Sequence, residues 1–292
     1  LKIEVKKKRT RWQEIILVIS SILLLIAGLT LVSGPWIKSA LISNYSYDYT
    51  RETITSSKIQ ENQSTLGEFD YAAVVPPSLV DVLAAMNTDY SDQVIGQLTI
   101  KSLSMNLPIL KGTTNDNLLI GAGTMQENQV MGMGNYTLIG HHMQDKSLLF
   151  GPLLKIKEGA IIQLNDQEIL YTYQVQTTKI VSETDMSVLA DVGDNRLTLI
   201  TCDVSSATNQ RFVVVATLVE KNNLNQKNVN THEPKNNTEI MSKNVQEYQE
   251  VVSLTQKHEK RSIPVILIGI LILLFLGCLL FFIRKHYRQL GH

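Results

Sequence analysis

Cysteine is scarce in this chain, with two residues, Cys202 and Cys278, among 292. That number excludes a disulfide framework. Cys278 lies inside an uncharged apolar run and is not placed to meet Cys202. Cys202 is therefore a lone thiol, open to three readings: inert core filling, an intermolecular bridge or a reactive group. Net charge is also lacking: 27 basic residues balance 27 acidic ones, which offers no footing for a nucleic-acid partner. No Gly-Lys-Ser/Thr follows the glycines, so no phosphate loop is present. No His-x-x-x-His occurs, and one available cysteine does not make a metal site, so neither metal nor other cofactor is expected. No internal repeat of about 20–50 residues marks a solenoid.

Two long hydrophobic runs stand at the ends. Lys2, Lys6, Lys7, Lys8, Arg9 and Arg11 face a single Glu4, and residues 15–37 then carry no charge. That length suits an uncleaved membrane anchor; a signal peptide is the alternative, but no Ala-x-Ala site follows. Residues 263–283 form a second uncharged run, followed by Arg284, Lys285 and Arg288. The excess of positive charge places both termini in the cytoplasm, and two spans leave the middle of the chain outside. Lys257, Lys260 and Arg261 on the outer flank weigh against this.

Between the runs, strand signals dominate. Residues 95–100, 103–110, 135–142, 161–164, 169–176, 179–182, 197–201 and 212–219 read as eight strands with short helices between them, the spacing of a closed or nearly closed β-barrel. Pro76-Pro77-Ser78 opens a helix with Leu79, Val80, Val82 and Leu83 on its apolar face. Pro108 suggests an edge or a bulge. Gly121, Gly123, Gly132 and Gly134 bracket a segment, 125–133, expected to be a mobile loop. Residues 221–237 are rich in Asn and Lys and read as linker, with a weakly helical stalk over 239–256.

Three of these strands end on reactive side chains. The strand at 197–201 runs into Cys202. After nine residues the next strand opens at Arg211, and an antiparallel return brings the two together. The strand at 135–142 ends on His141 and His142, which alternation points to opposite faces, so only one can face Cys202. Thiol, imidazole and guanidinium at one end of one sheet supply a nucleophile, a proton carrier and an oxyanion stabiliser. Each residue taken alone is ordinary; the case rests on the three together.

Thr198-Leu-Ile-Thr-Cys202 resembles the Thr-Leu-x-Thr-Cys signature of sortases, the membrane-anchored cysteine transpeptidases of Gram-positive bacteria. Gly134-Asn-Tyr-Thr-Leu-Ile-Gly-His141 is similar to the family's histidine strand, and Arg211 falls where the family has its arginine. The resemblance covers residues 94–220 and implies the eight-stranded sortase barrel, mainly β, here flanked by two transmembrane helices. It implies that the Cys202 thiolate attacks the Thr–Gly carbonyl of a Leu-Pro-x-Thr-Gly sorting signal and forms a thioester. Arg211 would donate to the substrate and the oxyanion. His141, the first of the pair as in class A members, would protonate the leaving amine. The implied acceptor is the amine of lipid II or a peptidoglycan cross-bridge, and Thr201 would support the signal pocket. Glu127 stands nearly alone in its loop, so no Ca²⁺ site is expected.

The expected organisation is a basic cytoplasmic tail at 1–14, an anchor at 15–37, a linker and helical region at 38–90, the catalytic barrel at 91–220, linker and stalk at 221–262, a second span at 263–283 and a basic tail at 284–292. The second span is more typical of class C, pilus-assembling members. Those carry a lid with Asp-Pro and an aromatic ahead of the barrel, which Val75-Pro-Pro77 does not match. A class A-like enzyme is therefore expected, with pilin joining as runner-up. A non-catalytic wall-binding module leaves the complete motif unexplained. An L,D-transpeptidase would need its histidine close before the cysteine.

Overall fold

The computed structural model describes residues 11–51, 54–70, 76–224, 235–257 and Gly277. The chain divides into two units, Leu1–Ala40 with Ser262–His292, and Leu41–Arg261. Helix α1, Arg11–Arg51, begins in the first. Among the described residues no single helix is long and apolar enough to cross a membrane; two segments of α1, Ile19–Gly28 and Ser33–Thr50, bent by 50°, pass together by length and composition. The run at 263–283 and Cys278 lie outside the described residues.

The second unit is built on a closed barrel. Its strands are β1 (Val94–Ile100), β2 (Met105–Leu110), β3 (Ala122–Thr124), β4 (Asn135–Ile139), β5 (Ile161–Asn165), β6 (Ile169–Ser182), β7 (Arg196–Cys202) and β8 (Gln210–Asn223). Around the barrel they run β1-β2-β3-β4-β7-β8-β6-β5, and β1 pairs with β5 to close it. Two pairs are parallel, β2 with β3 and β4 with β7; closure leaves no edge to aggregate.

The expected count of eight strands holds, but two members differ. Residues 169–176 and 179–182 are one strand, β6, whose register slips between Val175 and Thr177. A β-bulge interrupts the alternation there, which makes one strand read as two. The added member is β3, three residues long, just ahead of the segment 125–133 and outside the expected strands. The loop after it is tied down rather than loose. Gln129 accepts from the Gln126 N–H at 3.1 Å and from the Thr137 hydroxyl at 2.8 Å, and donates to the Thr137 carbonyl at 2.9 Å. Gly132, at φ +75°, donates its N–H to the Tyr173 hydroxyl at 3.0 Å.

Register sorts the barrel into two faces. Tyr136 and Leu138 of β4 oppose Leu197 and Leu199 of β7, which oppose Ala216 and Val214 of β8; all six are buried and form the interior. The alternate residues, Ile139, Ile200 and Val213, point outward and pack with Leu118, Met125 and Cys202. Leu118 comes from α4, Asn115–Ile120, whose first turn is capped by the Thr114 hydroxyl.

Helices dress the barrel. Helix α2 is Ser56–Ser64, and α3, Leu79–Ala85, opens on a capping box between Ser78 and Asp81. The start at Ser78 is as expected; the buried face is not, because Val82 and Ala85 are inside while Val80 and Leu83 are exposed. The end of α1 is held by Tyr45, Tyr49 and Tyr90, whose rings pack edge-on at 5.5–6.2 Å. Helix α5, Lys235–Lys257, corrects the reading of 239–256 as a stalk. It lies on the barrel: the Asn244 carbonyl accepts from Gln163 at 2.8 Å, Tyr248 reaches Gln97 at 3.2 Å, Lys101 pairs with Glu250 at 2.9 Å, and Val251 is buried.

Candidate active site

Strands β4, β7 and β8 are neighbours, and their ends at one rim carry the residues singled out from the sequence. The last ladder pair of β7 with β8 is Cys202 with Arg211, directly opposite. Opposed residues share a face and sit roughly 4.5–5.5 Å apart at Cα. Strand β4 runs parallel to β7 with Ile139 level with Ile200, and the Gly140 N–H carries the ladder on to the Ile200 carbonyl at 3.1 Å. Strand β4 ends at Ile139, and His141 follows two residues beyond it, buried, in the turn whose Gly140 carbonyl accepts from the Thr201 hydroxyl. The ladder thus sets Cys202 and Arg211 directly opposite, while His141 lies beyond the paired end of β4.

Beside the Cys202–Arg211 pair lies a cavity of about 300 Å³, which Arg211 lines. Ile139, Ile200, Val213 and Arg211 line it from the barrel, Thr113 and Met125 from one side, and Val181, Glu183, Met186, Val188 and Leu189 from the other. The second wall is the connection from β6 to β7. Asn135 holds it by donating to the carbonyls of Val188 at 2.9 Å and Ala190 at 3.0 Å, and Gln126 by donating to Leu189 at 2.8 Å. The lining is largely apolar, with Thr113, Ser182, Glu183, Asp185 and Arg211 as its polar members, the composition common to ligand pockets.

Cys202 is a free thiol, 5% exposed, inside the Ile139–Ile200–Val213 cluster. Burial pushes its pKa up, the Arg211 charge pulls it down, and Asp203 and Glu183 push it up again. The guanidinium donates from Nη1 to the carbonyls of Thr208 and Gln210, both at 3.0 Å, and from Nη2 to Glu183 at 2.9 Å.

The second histidine has a distinct place. His142 Nδ1 lies 3.1 Å from the Cys202 carbonyl oxygen. A carbonyl can only accept, so Nδ1 carries the proton. Burial, the largest influence, lowers the His142 pKa below the ordinary imidazole value. His142 thus braces the backbone of Cys202 from the side away from the thiol. Phe150, whose N–H donates to the His141 carbonyl at 3.0 Å, packs on Gly140, where a Cβ would lie 2.7 Å from the ring.

Thr201 differs from expectation. It is fully buried, alternates to the face opposite Cys202, and donates to the Gly140 carbonyl at 2.8 Å. Thr201, like Cys202 and His141, is not among the residues lining the cavity. Its hydroxyl instead fastens the end of β7 to the turn that carries His141. Glu183 was not legible, since nothing in sequence spacing ties it to an arginine 28 positions on. Glu127 is engaged by Lys111 at 2.8 Å and by the Gly67 N–H at 3.0 Å. Among the described residues no group of three or more His, Cys, Asp or Glu side chains is placed to hold a metal ion.

Comparison with known proteins identifies the family. The family model of the sortase domain matches residues 98–219. The chain is 42% identical over 214 residues to Sortase A of Listeria monocytogenes, covering 73% of this chain and 96% of that protein. It is 36% identical over 203 residues to Sortase A of Streptococcus agalactiae, covering 68% and 82%. The crystal structure of Listeria monocytogenes sortase A superposes with a TM-score of 0.45 at 48% identity, covering 46% of this chain and 92% of that one. A barrel that brings a lone thiol against an arginine beneath an apolar groove, and relatives matched over nearly their whole length, lead to one conclusion: this chain belongs to the sortase family of cysteine transpeptidases.

Proposed function

We propose that this enzyme cleaves a Leu-Pro-x-Thr-Gly-type sorting signal between Thr and Gly and transfers the acyl group to an amine of the peptidoglycan precursor, lipid II or a cross-bridge. Cys202 is the nucleophile. His141 accepts the thiol proton, gives a proton to the leaving glycine amine and later takes one from the acceptor amine. Arg211 donates from its planar fork to the substrate backbone and to the oxygen that becomes negative. The single observation that carries this assignment is the opposed Cys202–Arg211 pair, whose arginine lines the apolar cavity.

Cys202 is buried and its pKa raised, so thiolate forms most readily when a proton acceptor stands beside it. His141 follows the end of β4, the parallel neighbour of β7, which supports that role. The cavity takes the apolar part of the signal, and the rim with Cys202 and Arg211 takes the Thr–Gly bond. The housekeeping, class A-like reading is supported by the two Sortase A relatives.

The same reading places the catalytic unit outside the cell and the enzyme at the membrane, held by residues 15–37 and 263–283 with both termini in the cytoplasm. Its support is the uncharged length of both runs and the basic residues beside them. Incubation with a quenched Leu-Pro-x-Thr-Gly peptide and a panel of amines tests the reaction. Products joining the peptide, through its Thr, to an amine are expected; cleavage at another bond, or no reaction with any such peptide, overturns the proposal.

A further inference from the structure

One acidic side chain at the rim has no part in the chemistry above. Glu183 follows β6, and its N–H donates to the Asn209 carbonyl at 2.8 Å, one step beyond the Ser182–Gln210 pair. It stands two residues after Val181, which opposes Arg211, so alternation keeps it on the cavity face. Cys202, Arg211 and Val181 thus form a row across β7, β8 and β6, and Glu183 lies just beyond that row. Its carboxylate takes Arg211 Nη2 at 2.9 Å, with the Arg211 side chain 13% exposed and that of Glu183 43%. The carbonyls of Thr208 and Gln210 hold Nη1. Two backbone oxygens and one carboxylate therefore fix the plane of the guanidinium.

We propose that Glu183 is a positioning residue that holds the Arg211 fork in its working plane at the cavity rim and balances its charge while the cavity is empty. The inference rests on the role given to Arg211 above. A long side chain carries rotamer freedom that must be lost before a planar fork can meet a substrate; an ion pair on one arm removes that freedom beforehand. An ion pair this exposed adds little to folding stability, so its effect falls on orientation and local potential. The potential reaches Cys202. The charged or titratable groups around that thiol are Arg211 across the ladder, Asp203 beside it, Glu183 beyond Arg211, and His141 and His142 at the end of β4. Asp185 lines the cavity further along, while the α4 side contributes apolar Leu118. Glu183 is among the groups that raise the thiol pKa and Arg211 lowers it, so removing the carboxylate acts downward on the thiol both directly and by releasing the full charge of Arg211.

The test begins with the thiol and needs no sorting signal, so a failure of the transpeptidation proposal leaves it readable. The full chain is alkylated with iodoacetamide across pH and the Cys202 peptide is followed by mass, which keeps Cys278 apart. Glu183→Gln is expected to lower the pH midpoint of Cys202 alkylation, whereas Glu183→Asp, which keeps the charge, stays with the wild type. In turnover of a sorting peptide, Glu183→Gln should lower kcat by roughly tenfold with KM nearly unchanged, and should add less than about twofold in an Arg211→Lys background. An unchanged or raised alkylation midpoint in Glu183→Gln overturns the proposal. So does a full further loss in the Arg211→Lys background, which would mean that Glu183 does not act through Arg211.

Discussion

At the scale of single residues, two neighbours that look alike have different work. His141 is the proposed proton carrier, while His142 donates from Nδ1 to the Cys202 carbonyl. His141→Ala is expected to cost more than about 100-fold in kcat/KM, the range for a lost proton-transfer group. His142→Ala should cost less activity but remove about 1 kcal/mol of stability, because a buried carbonyl loses its donor. Steady-state kinetics with urea unfolding of both variants checks the split, and equal kinetic losses would contradict it. Thr201 offers a second check. Thr201→Val keeps the shape and removes the hydroxyl that ties β7 to Gly140. A stability loss of about 1–3 kcal/mol is expected, with a lower kcat because the turn bearing His141 loses its anchor, and Thr201→Ser should restore both.

At the scale of elements, the site is made by adjacency that sequence shows only in part. Cys202 and Arg211 were legible because a short loop between two strong strands forces an antiparallel return. That β4 lies beside β7 was not, since a parallel pair between residues about sixty positions apart leaves no local mark. Strand β6 was broken by a bulge, and β3 is too short to show a period. Helix α5 was misread for another reason: its hold on the barrel is largely polar, through Asn244, Tyr248 and Glu250, so its sequence lacks the apolar stripe that announces packing. These contacts suggest that α5 stabilises the barrel without entering the chemistry. Asn244 also meets Glu220, nine residues along β8 from Arg211, a span of roughly 30 Å. A chain ending at Leu224 is therefore expected to melt a few degrees lower, with peptide turnover per folded molecule within about twofold of the longer chain. Calorimetry and active-site titration together decide this; a large change in turnover or signal preference would mean that α5 governs access to the site.

At the scale of the whole molecule, the closed barrel offers a rigid rim, and in the proposed topology the flanking runs would set where that rim works. With both ends in the membrane, the site would stay close to the surface from which its substrates emerge. Protease added to intact protoplasts should then digest the middle of the chain and spare both termini, as read by tags at each end; a protected middle would refute the proposed topology. The central claim, that Cys202 carries the acyl group, is open to one direct measurement. The enzyme is quenched during turnover of a Leu-Pro-x-Thr-Gly peptide without added amine, and its mass is read intact and after digestion. The account predicts an adduct equal to the peptide through its Thr, attached at Cys202, discharged by an added amine and absent from Cys202→Ala. Peptide turnover by Cys202→Ala, or cleavage that never leaves an adduct on Cys202, would contradict it.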